Sequence, residues 1–179
     1  TLRLPSLSDA EGLPFLIRAL TDEQRDRAAA GRSLHPAAGG GTPTLAELLR
    51  QRVERLPEPA RKVLEVLAVA GKPLPIRLAG RAARLDAREA DSAARLLRAR
   101  NLAAIAIFGG ALEVYHDRIQ QSVLAALTHD GRRELHRRLA EVLAATDDPD
   151  PEALAYHHRA AGDSAAAAEV SHETWQSLQ

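Results

Sequence analysis

His116, Asp117 and Arg118 follow an apolar run, "LEVY", and stand immediately before a helical pattern, "IQQSVLAAL". The junction raises the question of a catalyst, a metal ligand, a phosphate contact or a cap. The first turn of a helix leaves backbone N–H groups unpaired and carries a partial positive charge. Such a site suits an anion, and an imidazole there adds a donor, and a charge when protonated. Asp117 can equally cap the helix by accepting those N–H groups. The residues alone leave both readings open, a cap pair and an anion contact.

A second group lies in "GRRELHRRLAEVL". Arg132, Arg133 and His136 stand among Arg137 and Arg138 on a helix whose apolar side is Leu135, Leu139, Val142 and Leu143. This reads as a solvated basic face, with a patch for an acidic partner or nucleotide phosphates as the alternative. His157 and His158 are neighbours in sequence, so they point to different sides of a helix. A zinc pair there would need i, i+3 or i, i+4 spacing.

Several chemistries lack their residues. The chain has two lysines, Lys62 and Lys72, and Pro73 stands where a phosphate-binding loop needs Ser or Thr after Gly71-Lys72. "GGGTPT" holds no lysine, and no apolar strand ends in paired acids for magnesium. The 179-residue chain is therefore expected to be no enzyme, hydrolysing no ATP by itself. There is no Gly-x-Ser-x-Gly elbow and no His-Glu-x-x-His. With 0 cysteines, neither disulfides nor thiolate zinc sites can form. No metal site is expected.

The elements that would position these groups follow from composition and period. Hydrophobic residues are 45% and aromatic residues 3%, so the core must be Leu, Val, Ile and Ala, which favours helices. Lys+Arg and Asp+Glu are each 24, so no net field draws the chain to nucleic acid or an acidic membrane. No run approaches the roughly 20 apolar residues of a membrane span, and the opening residues are not expected to be a signal peptide. With Thr1 first and no methionine, the chain is expected to be a piece of a longer, cytoplasmic protein.

Phe15 to Leu20 form a helical piece, and "GRSLHPAAGGGTP", residues 31–43, reads as a linker. Thr44 and Glu47 form a capping box before the stripe Leu45, Leu48, Leu49, Val53 and Leu56. The next helix starts near Pro59 and stops at Gly71. Its Val63, Leu64, Val66, Leu67 and Val69 make it the central, most buried one. A short helix spans Ile76 to Leu85. A second capping box, Asp86 and Glu89, opens another that ends near Asn101.

Two β-type runs then flank Gly109-Gly110, a hairpin signal. Helices over Asp117–Leu127 and Asp130–Ala145 follow. Asp150 and Pro151 start the last pair, "PEALAYHHRAAG" and "SAAAAEVSHETWQSL", broken at Gly162-Asp163. Three helices and a hairpin with a helix on either side is the order of a winged helix. The expected class is mainly α: a winged-helix domain with one small β-hairpin, then TPR-like antiparallel helix pairs. The expected divisions are 1–43, lid end and linker; 44–128, winged helix; and 129–179, the start of the repeats.

A DNA-binding wing usually carries Lys or Arg, whereas Leu102–His116 carries none and its only charged side chain is Glu113. The helix before it mixes Arg88, Arg95, Arg98 and Arg100 with Asp86, Glu89 and Asp91. These features argue against DNA as the partner.

Taken together, "LAELLRQRVERLPEPARKVLEVLAVAGKPLPI", "YHDRIQQSVLAAL", "RRELHRRLAEVL" and "PEALAYHHRAAGDSAAAAE" resemble the region after the nucleotide-binding core of STAND-type signalling ATPases, related to AAA and NB-ARC proteins. These are large bacterial regulators often fused to Ser/Thr kinase, cyclase or LuxR-type domains. The match runs in family order over most of residues 44–170. "EGLPFLIRAL" resembles the end of the family's helical lid, with Leu13 where Asn or Ser is usual. The resemblance implies a winged helix that packs on an upstream ATPase core of the same chain. It also implies helical repeats that meet protein partners, and ATP or ADP in the parent protein but no cofactor in this fragment. It matches His116-Asp117 to the His-Asp of the "MHD" element, with Tyr115 in place of Met. There the pair faces the nucleotide and the histidine contacts the β-phosphate of ADP, which would leave Asp117 as the expected helix cap here. A DNA-binding winged-helix regulator and a protein-interaction scaffold are the alternative functions.

Overall fold

The computed structural model describes residues 45–106 and 110–177. The helical piece at Phe15–Leu20, the linker, Thr44 of the first capping box and Gly109 of the turn lie outside the described residues. Those described form eight helices and one two-stranded antiparallel sheet. The chain is thus mainly helical.

The order is α1 (Leu45–Glu54), α2 (Glu58–Ala70), α3 (Ile76–Ala82), α4 (Ala87–Ala99), β1 (Ala103–Ile105), β2 (Leu112–Val114), α5 (Asp117–Ala126), α6 (His129–Ala144), α7 (Pro151–Ala161) and α8 (Ser164–Ser177). Helix α2 is the hub. Leu64 and Val66 are 0% exposed, and the helix packs against α3, α4, β2, α5 and α6. Its apolar residues recur so closely that only a narrow polar face remains, at Glu58, Arg61, Lys62 and Glu65, and neighbours bury the rest. Pro59 sits in its first turn, and Gly71 ends it in the left-handed region at φ 66°.

The helix ends are set by local chemistry. The Asp86 carboxylate accepts the Glu89 N–H at 2.9 Å, and the Glu89 carboxylate accepts the Asp86 N–H at 3.0 Å. This reciprocal box fixes where α4 begins. Asp86→Ala is expected to cost about 1 kcal/mol, read as a lower urea midpoint at unchanged slope. Asp150 caps α7 through the Glu152 and Ala153 N–H groups, with Pro151 at the first helical position. Helix α6 starts one residue earlier than the sequence suggests, because the Thr128 hydroxyl accepts the Gly131 N–H at 3.0 Å.

The hairpin is small. Ala103 pairs with Val114, Ala104 with Glu113 and Ile105 with Leu112. Gly110 has φ 63°, the left-handed geometry that a tight turn draws from glycine. Leu74, between α2 and α3, forms a bridge to Leu112 with two backbone hydrogen bonds of 2.8 Å. The spatial order across this layer is therefore Leu74, β2, β1. One residue carries no periodicity, so nothing in the sequence announces that third pairing. The Arg52 guanidinium donates to the Arg100 carbonyl at 2.8 Å and joins α1 to the end of α4.

Helix α6 packs on α2 and α3 as well as on α7, and α7 lies between α6 and α8. Arg84, just after α3, bridges to Glu134 of α6 at 3.5 Å. Among the described residues no helix is long and apolar enough to cross a membrane.

Candidate functional site

The hairpin delivers His116 to the mouth of α5. Tyr115 donates its N–H to the Leu102 carbonyl at 3.1 Å, the last rung of the β1–β2 ladder. His116 is still extended, at φ −156° and ψ 143°, and the chain turns helical at Asp117. The His116 carbonyl accepts the Ile119 N–H at 2.9 Å and the Gln120 N–H at 3.3 Å. Its own ring caps the helix, with Nδ1 accepting the Arg118 N–H at 3.2 Å. Accepting at Nδ1 puts the proton of the neutral ring on Nε2, which becomes a donor.

This corrects the expected division of labour. Asp117 does not cap α5; the cap is His116. Asp117 is the first helical residue, exposed, where its charge complements the helix dipole. The register decides the matter: a capping side chain must belong to the residue before the first helical one, and the ladder ends one residue too early for Asp117. His116 is half-exposed and has a backbone partner inside this chain, so it also contributes to local stability.

The expected patch of Arg132, Arg133 and His136 is not assembled. His136 is buried, 5% exposed, and faces α7. Arg132 donates to the Leu124 carbonyl at 2.6 Å and Arg133 to the Ala161 carbonyl at 3.0 Å. Both guanidiniums thus occupy the C-terminal carbonyls of neighbouring helices, whose partial negative charge suits a cation. Gly162, at φ 82°, leaves room for Arg133: a Cβ there would collide with the guanidinium.

His136 instead meets His157, which is 3% exposed, with their Nδ1 atoms 2.9 Å apart. Only one of the two nitrogens can carry the proton of this bond. The Tyr156 ring stands edge-on to both, with centroids 5.6 Å from His136 and 5.1 Å from His157. Burial holds the His136 pKa below its usual 6.5, and Arg132 adds to this. Burial lowers His157 to about 4, with His136, Lys72 and His158 acting in the same direction.

A signal for this pair was present in the sequence. His136 falls three residues before Leu139, inside the apolar stripe of α6. His157 falls three after Leu154 and four before Ala161, inside that of α7. Among the described residues, no three His, Cys, Asp or Glu side chains gather as a metal set.

Comparison with protein-family models, with curated proteins and with solved structures returns no match.

Proposed function

We propose that this chain is a non-catalytic coupling module of a nucleotide-dependent signalling protein of the STAND type. A winged helix packs on an ATPase core upstream in the same chain, and the helices from α6 onward begin a TPR-like series that meets protein partners. The order α2, Leu74, α3, α4, β1, β2, with Leu74 paired to β2, supports the winged-helix reading. The observation that carries the functional reading is His116. It caps the helix leaving the hairpin through Nδ1, which makes Nε2 a donor at a helix N-terminus, the polarity that suits a phosphate. Parent proteins of this kind use ATP or ADP and often carry a kinase or cyclase effector.

The experiment separates the cap from the phosphate contact. In the parent protein, His116→Ala removes both. His116→Ser keeps a capping oxygen but has no imidazole donor. Both variants are expected to release a fluorescent ADP analogue more readily, with affinity lower by roughly tenfold to a hundredfold, the loss of one charge-assisted hydrogen bond. Only His116→Ala is expected to lose helix stability as well, by about 1 kcal/mol. Wild-type ADP affinity in His116→Ser would remove His116 from the nucleotide site.

A further inference from the structure

We propose that the buried His136–His157 contact is a latch that acid opens, so that α7 and α8 leave α6 together while the body built around α2 stays folded. The proposal concerns where the chain opens and does not rest on the nucleotide reading.

The packing places the opening. Helix α2 is enclosed by α3, α4, β2, α5 and α6, whereas α7 packs on α6 and α8. The α7–α8 pair is thus an outer layer, joined to the rest chiefly through one face of α6. Such a layer can open without global unfolding when few apolar groups hold it. Few do so here. The buried residues of α7 are Leu154, Ala155, His157 and Ala161, a single large aliphatic side chain, whereas α2 buries Val63, Leu64, Val66 and Leu67. Helix α8 adds Ala167. His157 is therefore the second large group that α7 sets into the seam, and its partner there is His136, Nδ1 to Nδ1 at 2.9 Å.

Other polar links from α7 to the body sit at its two ends. Lys72 Nζ lies 3.9 Å from the Asp150 carboxylate before the first turn, with both side chains more than half exposed. An exposed pair at that separation contributes little. Arg133 donates to the Ala161 carbonyl at the last residue. The histidines hold the stretch between.

The charges around the pair give the direction. On α6, Arg132 acts on His136. On α7, His158 follows His157 and the Tyr156 ring stands edge-on to both. After α2, Lys72 acts on His157. The carboxylates in the neighbourhood are engaged elsewhere: Glu134 with Arg84 of the α3 end and with Arg138, and Asp163, before α8, beside His158. Every charge that shifts either ring is positive, and burial acts in the same sense. Two protonated rings would set N–H against N–H in a closed site. They gain hydration only when the seam opens, so acid favours the open form.

Hydrogen–deuterium exchange of the 179-residue chain, read at pH 7.5, 6 and 5 and corrected for the intrinsic pH dependence of amide exchange, tests this. Protection of the α7 amides is expected to fall on the order of tenfold or more from pH 7.5 to 5, while that of α2 stays within about twofold. In His136→Leu/His157→Leu the α7 protection is expected not to change with pH. The wild-type comparison of α7 with α2 needs no substitution. Loss of α2 protection in step with α7 would mean global unfolding and would overturn the proposal. So would α7 protection that is constant from pH 7.5 to 5, or an equal fall in the double variant.

Discussion

Gly80→Ala is expected to lower the stability of the helical unit by about 1–3 kcal/mol, and Gly80→Val by about 3 kcal/mol or more. Gly80 is buried in α3, and a Cβ there would stand 2.6 Å from the Cβ of Ala90 in α4. Neither atom is at the end of a flexible side chain. Relief therefore requires α3 and α4 to move apart, and Ala90 is 3% exposed with its own neighbours fixed around it. The Gly80 carbonyl also accepts the Leu85 N–H at 2.9 Å, closing the turn that leads to the Asp86 cap, so a shift of α3 strains that turn as well. Urea unfolding of Gly80→Ala, Ala90→Gly and the double variant measures the contact as a coupling energy. The double variant should recover most of the loss, less the roughly 0.5–1 kcal/mol that glycine costs inside α4. A double variant no more stable than the sum of the singles would show that the two helices do not meet at this point. On the proposed reading the contact also bears on function, because α4 is followed directly by β1.

The sequence shows its helices at the positions where a local rule acts. Asp86 with Glu89, Asp150 with Pro151, and the glycines at 71 and 162 each mark a boundary by chemistry within a few residues, and the helices stop and start there. The burial of α2 is legible for the same reason, since its apolar spacing leaves only a narrow solvent face at Glu58, Arg61, Lys62 and Glu65. What is not legible depends on partners far along the chain. Leu74 becomes a bridge only because β2 returns beside it, 38 residues later by number. Arg132 and Arg133 resemble a free basic surface until the ends of α5 and α7 supply carbonyls for them. At the hairpin–helix junction the start of α5 is legible in the sequence, but the cap passes from Asp117 to His116 because it turns on where the β-ladder releases the chain. His136 and His157 lie 21 residues apart, so periodicity puts each inside its helix without pairing them.

That pair gives the second large effect: stability should fall as pH drops from about 6.5 towards 4. In the folded protein both rings favour the neutral form, with His157 held down to about 4 and His136 shifted the same way. In the unfolded chain both return to the usual value near 6.5. Between these limits the unfolded state binds more protons, so acid favours unfolding. The stability is fully present above about 6.5, declines as pH falls below it, and stops declining once the folded rings also protonate. One added proton is tolerated by geometry, because a charged ring can still donate Nδ1–H to its neutral partner. A second places two N–H groups face to face across 2.9 Å and breaks the bond, with Arg132, Lys72 and His158 adding positive charge around it. Carboxylates complicate only the lower end. Lys62 holds Glu58, and Arg138 holds Glu134, below the usual 4.5, while burial pushes Glu65 above it and works in the opposite direction. The control is His136→Leu/His157→Leu, which fills the site with apolar groups and removes both titrations. Thermal unfolding from pH 7.5 to 4 should show a steep loss in the wild type between 6.5 and 5 and a nearly flat profile in the double variant. His157→Leu alone should be less stable than the double variant at pH 7.5, by about 1–3 kcal/mol, because it strands the buried Nδ1 of His136. Identical pH profiles for wild type and double variant would mean that the two rings do not sense acid together and that the α6–α7 contact is held by its leucines and alanines alone.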